Sequence, residues 1–159
     1  MWSVRKIIVP TDFSKPSEAA LDAAIEIAKK FEASIVIMHA YQIPAYAYPT
    51  APVDLVGDLT PHFKRAAGLQ LEEAAAGARR RGVAITTVLR AGSPWEQILK
   101  TTNEQGAGLI VMGSRGLHGL PRALLGSTAE SVVRHSPVPV MTLHGHLPKP
   151  MQLADADTA

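Results

Sequence analysis

Glycines and hydroxyl side chains are concentrated between a strand-like run and a helical pattern in the last third of the chain. The segment begins with Met112, Gly113, Ser114, Arg115, Gly116, Leu117, His118 and Gly119, and Gly126, Ser127 and Thr128 follow. Glycines allow a backbone to approach a bulky anion and to adopt positive φ angles. A helix that starts at Ser127 presents free N–H groups to an anion, and Arg115 and Arg122 can add charged contacts. This spacing predicts a phosphate cradle, with a glycine-rich turn and an ordinary Ser/Thr helix cap as the alternative.

The cradle differs from the two common nucleotide-binding fingerprints. The sequence contains neither G-x-x-x-x-G-K-[ST] nor G-x-G-x-x-G, and the glycines follow a late strand rather than the first one. The spacing alone therefore does not separate the two interpretations.

A second polar group, IVPTDFS at residues 8–14, follows the first strand-like run. Asp12 can accept hydrogen bonds from a ribose or a base, or help to hold Mg²⁺. The alternative is that Thr11, Asp12 or Ser14 caps the first helix. Asp12 can do both.

The elements that must position these residues alternate along the chain. Strand-like runs lie at 4–9, 33–41, 83–89, 108–113 and 138–143, and helical patterns at 14–31, 60–81, 93–102 and 127–135. We expect residues 42–58 to form a loop, Thr60-Pro61 to begin the second helix, and Ser93 with Glu96 to form a capping box. The alternation predicts an α/β fold, an open parallel five-stranded sheet with helices on both faces. Ligands of such sheets bind beyond the carboxyl ends of strands where the strand order reverses.

Composition limits the classes of protein to consider. The 159 residues are 47% hydrophobic and 19% charged, carry a formal charge of +2, and include no cysteine and only 5% aromatic residues. We expect one domain over residues 1–144, a disordered tail over 145–159 and a cytoplasmic location. Neither a nucleic-acid-binding face nor a membrane-spanning run is indicated, and the histidines show no metal-binding spacing.

The residues described above resemble the ATP-binding members of the universal stress protein family. The resemblance covers about residues 3–144. It is carried by Gly113-x2-Gly116-x9-Gly126-Ser127, by IIVPTDFS after the first strand, by IVIMHAY at the second and by SPVPVMTL at the last. It implies a Rossmann-like, adenine nucleotide alpha hydrolase-like fold.

The resemblance also implies a role for each site residue. Pro10, Thr11 and Asp12 would border the adenosine, and the backbone of Ala40 would meet the adenine. Met112 and residues 113–119 would line the nucleotide, with Gly126, Ser127 and Thr128 on its phosphates. The implied cofactor is ATP with Mg²⁺, and the implied partner is a second copy of the chain, paired through the fifth strand at residues 138–143.

The resulting functional hypothesis is an ATP-binding regulatory stress-response protein that acts as a homodimeric nucleotide sensor. The alternative is a slow ATPase or nucleotide-transferring enzyme, for which Asp12 and His118 are the candidate bases beside the cradle. A phospho-receiver domain fits less well, because Leu89-Arg90-Ala91 offers no aspartate at the end of the third strand.

Overall fold

The computed structural model describes residues 2–42, 53–115 and 125–145, and within these ranges strands and helices alternate as the sequence predicts. Their order is β1 Lys6–Pro10, α1 Lys15–Phe31, β2 Ser34–Tyr41, α2 Val53–Arg79, β3 Ile85–Ala91, α3 Pro94–Gln105, β4 Leu109–Gly113, α4 Ser127–His135 and β5 Val140–Leu143. Residues 146–159 of the predicted tail and residues 43–52 of the predicted loop lie outside the described residues.

The five strands form one parallel sheet in the order β3-β2-β1-β4-β5. The chain first moves outward from β1 through β2 to β3, and then returns to place β4 on the other side of β1. The strand order therefore reverses between β1 and β4. This confirms the predicted α/β class and locates the reversal at which ligands of such sheets bind.

Each face of the sheet carries two helices over its own apolar core. On one face, Ile7, Val9, Ile35 and Ile37 pack against α1 and α2. On the other, Ile8, Val36, Met38, Ile110 and Met112 pack against α3 and α4. Right-handed crossovers in opposite directions from β1 produce this division. The central strands are buried on both sides, which explains their nearly unbroken apolar sequences.

The second helix begins earlier than expected. We predicted a loop to residue 58 and a helix start at Thr60-Pro61, but α2 begins at Val53 and Pro61 lies inside it. Pro61 has no N–H group to donate within the helix. The prediction treated this proline as a first-turn signal. Apolar residues at 53, 56 and 59 continue the helical spacing on the amino-terminal side of the proline, and the cooperative helix extends through it.

Smaller differences concern caps and strand ends. β1, β3 and β5 each begin two residues later than predicted. Ser93 is the N-cap of α3, as expected, but its side chain makes no capping hydrogen bond, so the predicted capping box with Glu96 is wrong. The turn instead closes through the Gln97 N–H, which donates to the Ser93 carbonyl at 3.0 Å. Trp95 packs against the sheet as predicted.

Candidate functional site

The predicted site residues that the structure describes converge on one edge of the sheet. Asp12 follows β1, Gly113 ends β4, and the two strands are neighbours paired at Ile7–Leu109 and Ile8–Ile110. The two polar segments singled out from the sequence therefore meet where the strand order reverses.

The β1–α1 loop is held by its own hydroxyl and carboxylate groups. The Ser14 N–H donates to Oδ1 of Asp12 at 3.1 Å, and the Ser14 hydroxyl donates to the same oxygen. Ser14 is the N-cap of α1, and its hydroxyl accepts from the Ser17 N–H. Oγ1 of Thr11 accepts from the Phe13 N–H at 3.0 Å and lies 3.1 Å from the Ser17 hydroxyl. The helix-capping interpretation of this segment is thus realised, with Asp12 bracing the capping serine.

The end of β2 turns a backbone edge toward the site. The Thr11 N–H donates to the Met38 carbonyl at 2.8 Å, and the Gly92 N–H donates to the Tyr41 carbonyl at 3.0 Å. Successive residues of a strand direct their backbone groups to opposite sides. The N–H and C=O of Ala40 therefore point to the β1 side, where β1 has already ended at Pro10. This edge can hydrogen-bond a planar heterocycle.

Gly113 is required by packing. A β-carbon at Gly113 would lie 3.0 Å from the carbonyl carbon and the Cβ of Pro16, and 3.1 Å from the Ser17 nitrogen. Its φ angle is not positive. We expected the glycines to admit an anion and to adopt positive φ angles. At Gly113 the φ expectation is wrong, and the glycine admits the first turn of α1.

Ser114 lies at the centre of the site and is fully buried. Its N–H donates to the Leu143 carbonyl at 2.7 Å, and its carbonyl accepts from the Gly126 N–H at 2.7 Å. These two bonds connect the end of β4 to β5 and to the start of α4. The Ser114 hydroxyl and the Arg115 Nε are buried without a hydrogen-bond partner in the described part of the chain. Both atoms can donate to a bound anion, and leaving them unpaired costs free energy.

The amino terminus of α4 opens beside Ser114. Its N-cap is Gly126, which has no side chain to accept from the first N–H groups of the helix. Ser127 is exposed and Thr128 is half-buried. The first turn therefore leaves N–H groups available, and the helix dipole favours an anion at this position.

The remaining predicted residues are placed as follows. Pro10 ends β1, and Met112 is buried, 4% exposed, in the core beneath α3 and α4. Gly116, Leu117, His118 and Gly119, with Arg122, lie outside the described residues.

Within residues 2–42, 53–115 and 125–145, no three His, Asp or Glu side chains are grouped to hold a metal ion. No helix in these same ranges is long and apolar enough to cross a membrane.

Sequence reasoning missed one side chain at this edge, His39 near the end of β2. Its Nδ1 lies 2.8 Å from the Thr11 carbonyl oxygen, and its ring packs on Phe13 with a centroid distance of 4.7 Å. The available signal was a histidine that interrupts the apolar run of SIVIMHAY. The spacing of the histidines predicts no metal site, and it gives no indication of this contact.

The fold and the site define the class of this protein: a doubly wound parallel α/β protein whose two polar segments, after β1 and after β4, meet at the reversal of strand order. The family model described as the universal stress protein family matches residues 3–144. The chain belongs to the universal stress protein family.

Sequence similarity to known universal stress proteins, over most of this chain and of theirs, agrees with this assignment. The chain is 32% identical over 142 residues to universal stress protein YxiE of Bacillus subtilis, covering 86% of this chain and 96% of that protein. It is 34% identical over 140 residues to universal stress protein MJ0531 of Methanocaldococcus jannaschii, covering 87% and 81%.

Two solved structures extend the comparison to three dimensions. Hypothetical protein MJ0577 superposes with a TM-score of 0.79 at 25% identity, covering 91% of this chain and 98% of that one. A universal stress protein in complex with cAMP superposes with a TM-score of 0.63 at 29% identity, covering 89% and 98%.

Proposed function

We propose that this protein binds an adenine nucleotide, ATP with Mg²⁺, at the carboxyl edge of β1 and β4, and that it acts as a homodimeric nucleotide sensor in a stress response. The observation that carries the proposal is a pair of buried donors, the Ser114 hydroxyl and the Arg115 Nε, that have no hydrogen-bond partner among residues 2–42, 53–115 and 125–145, beside a start of α4 that has no side-chain cap. A phosphate group at this position satisfies both donors and the free helix N–H groups.

The adenosine end of the ligand is assigned to β1 and β2. Ala40 offers a backbone N–H and C=O that match the hydrogen-bonding edge of a purine. Asp12 lies in the next loop, within the same edge, and is suited to a ribose hydroxyl. The complex of a related universal stress protein with cAMP supports an adenine nucleotide as the ligand class. The glycine segment 116–119 is expected to complete the phosphate site.

The dimer is assigned to the edge strand β5. Met141 on β5 and Val133 on α4 are large apolar side chains with 39% and 46% exposure. An exposed apolar edge strand is normally covered, and pairing β5 with β5 of a second copy covers it. Ser114 is hydrogen-bonded to Leu143 of β5. Nucleotide binding next to Ser114 would therefore shift the position of β5 at the dimer interface. A cytoplasmic location remains our prediction.

The test is a calorimetric titration of the purified protein with Mg-ATP, in parallel with Ser127→Glu and the control Ser3→Glu. A glutamate in the first turn of α4 is compatible with the helix dipole but repels a phosphate. Ser3 is exposed at the opposite edge of the sheet, before β1. We expect micromolar binding by the unaltered protein and by Ser3→Glu, and its loss in Ser127→Glu. Equal binding by all three proteins contradicts the assigned site, and no binding by any of them contradicts the function.

The alternative, a slow ATPase, is tested in the same solutions by measuring phosphate release. We expect no turnover beyond the buffer control. Phosphate release by the unaltered protein that is lost in Asp12→Ala would instead show that the protein is an ATPase.

A further inference from the structure

The carbonyl of Thr11 is met by a side chain from the neighbouring strand. His39 Nδ1 lies 2.8 Å from this oxygen. A carbonyl oxygen only accepts hydrogen bonds, so Nδ1 carries the proton, and in the neutral ring Nε2 is left as an acceptor. This bond fixes the tautomer of His39 and ties the β1–α1 loop to β2.

The hydrogen bond from His39 to the Thr11 carbonyl occupies the acceptor that the next backbone hydrogen bond between β1 and β2 would use. In the parallel register of Pro10 with Met38, the Thr11 N–H donates to the Met38 carbonyl. The next bond in this series would run from the Ala40 N–H to the Thr11 carbonyl. It is not among the backbone hydrogen bonds that join the described residues, and His39 Nδ1 supplies the donor instead. The ladder between β1 and β2 therefore ends one bond early.

A second contact keeps the loop in this position. The ring of Phe13 packs on His39 with an interplanar angle of 36°, and Phe13 has a φ of +63°, in the left-handed region that is unfavourable for a side chain of this size. The strained residue is thus held on one side by the His39 ring and on the other by Oγ1 of Thr11. His39 supports both the carbonyl and the side chain of the turn that leads from Asp12 into α1.

We propose that His39 is a positioning residue for base recognition: by occupying the Thr11 carbonyl, it leaves the Ala40 N–H and C=O open to the adenine edge of the ligand. The inference rests on the proposed nucleotide site and assigns a determinant of its affinity for the base. Without the His39 donor, the Ala40 N–H is drawn to the Thr11 carbonyl, and the backbone edge that would bind the base is consumed by the sheet.

Two substitutions separate the donor from the ring. His39→Asn retains an N–H donor at the position of Nδ1 and loses the ring that packs on Phe13. His39→Phe retains a ring and loses the donor. Mg-ATP affinity is measured by calorimetry and global stability by urea unfolding for both variants. We expect His39→Phe to bind about fivefold more weakly or worse, and His39→Asn to stay within about twofold of the unaltered protein.

The triphosphate part of the ligand provides an internal comparison. Inorganic tripolyphosphate, which has no base, should bind the unaltered protein and His39→Phe equally. Equal ATP affinities in all three proteins, or ATP affinities that follow stability and not the donor, would overturn the inference. Failure of the unaltered protein to bind ATP would instead contradict the proposed function itself.

The tautomer is measured without any substitution. Long-range proton–nitrogen NMR correlations of the unaltered protein at neutral pH should show the His39 proton on Nδ1. A proton on Nε2 alone would overturn the assignment, because Nδ1 could not then donate to Thr11.

Discussion

Gly113 at the end of β4 lies directly against Pro16 in the first turn of α1, so that a β-carbon on Gly113 would lie only 3.0 Å from the carbonyl carbon and the Cβ of Pro16. This contact sets the distance between the two halves of the site, because Asp12 precedes the same turn of α1 and Ser114 follows Gly113. The close approach of Gly113 to Pro16 therefore positions both Asp12 and Ser114.

Gly113→Ala should lower the free energy of unfolding by about 1–3 kcal/mol, since the new methyl group lies closer to the Pro16 backbone than ordinary van der Waals contact and β4 or α1 must shift by a few tenths of an ångström. Urea unfolding measures the effect. Gly77→Ala is the matched control, because a β-carbon there meets only the Arg80 side chain at 3.8 Å. Because Gly77 lies in the last turn of α2, the alanine should stabilise the protein by no more than about 0.5–1 kcal/mol. The same sign of effect at both positions would contradict the close approach.

Ser114→Ala should act in opposite directions on stability and binding. In the ligand-free protein it removes a buried hydroxyl that has no partner in the described part of the chain, and it should raise the free energy of unfolding by about 1 kcal/mol, while Mg-ATP affinity falls about fivefold. Thr101→Val is the control, since Thr101 on α3 is also fully buried and its hydroxyl likewise has no hydrogen-bond partner among the described residues. It should stabilise the protein similarly and leave affinity unchanged. Destabilisation by Ser114→Ala would mean that the hydroxyl has a structural partner.

Glu72 on α2 gives the stability a defined pH dependence. Hydrogen bonds from the Thr87 hydroxyl, and then from Arg79, lower the pKa of Glu72. Their stabilisation is complete above the ordinary pKa of a glutamate and is lost as the pH falls through the lowered folded value. Because Glu72 is more than half exposed, we expect Thr87→Val to cost only about 0.3–0.5 kcal/mol at pH 7.

The measurement is a carboxyl NMR titration together with urea midpoints at pH 7 and pH 3. Thr87→Val should raise the pKa of Glu72, and its stability difference from the unaltered protein should shrink at pH 3. Thr86→Val, an exposed position on the same strand, is the control and should leave the Glu72 titration where it was. A difference in stability that grows toward low pH would contradict this origin.

Arg81 connects the end of α2 to α1 through ion pairs with Asp22 and with Glu26, the latter at 3.2 Å. Arg81→Gln should lower the free energy of unfolding by about 0.5–1 kcal/mol at low ionic strength. The loss should largely vanish in 1 M salt, where the screening length is about 3 Å. Arg80→Gln, an exposed neighbour outside these pairs, should have no comparable effect in urea unfolding at either salt concentration. A loss of stability that persists in 1 M salt would indicate packing rather than charge.

Local patterns were sufficient for most of the fold. The boundaries of α4 match the prediction residue for residue, because Ser127 and Thr128 start a short amphipathic run that Pro137 closes. The buried strands were recognisable from their apolar sequences. The start of α2 was not, since Pro61 is a strong local signal that the longer apolar spacing overrides.

The sequence was sufficient to predict which segments form the site. It was not sufficient to predict the contacts that explain why particular residues are there. Gly113 was identified as a site residue, but its cause is a contact with Pro16, which no local pattern reveals. The role of His39 was not predicted for the same reason, because its partner, the Thr11 carbonyl, lies in the β1–α1 loop and far away in the sequence. Such contacts depend on the strand register, which the sequence pattern alone does not supply.

The central claim, an adenine nucleotide bound across the carboxyl ends of β1, β2 and β4, is tested most directly by amide NMR with saturating Mg-ATP. We predict that the amide signals of Ala40, Ser114 and Ser127 shift together. The signals of Ser34 and Gly108, which lie at the amino-terminal ends of β2 and β4, should not shift. Unchanged spectra, or shifts confined to the opposite edge, would contradict the account.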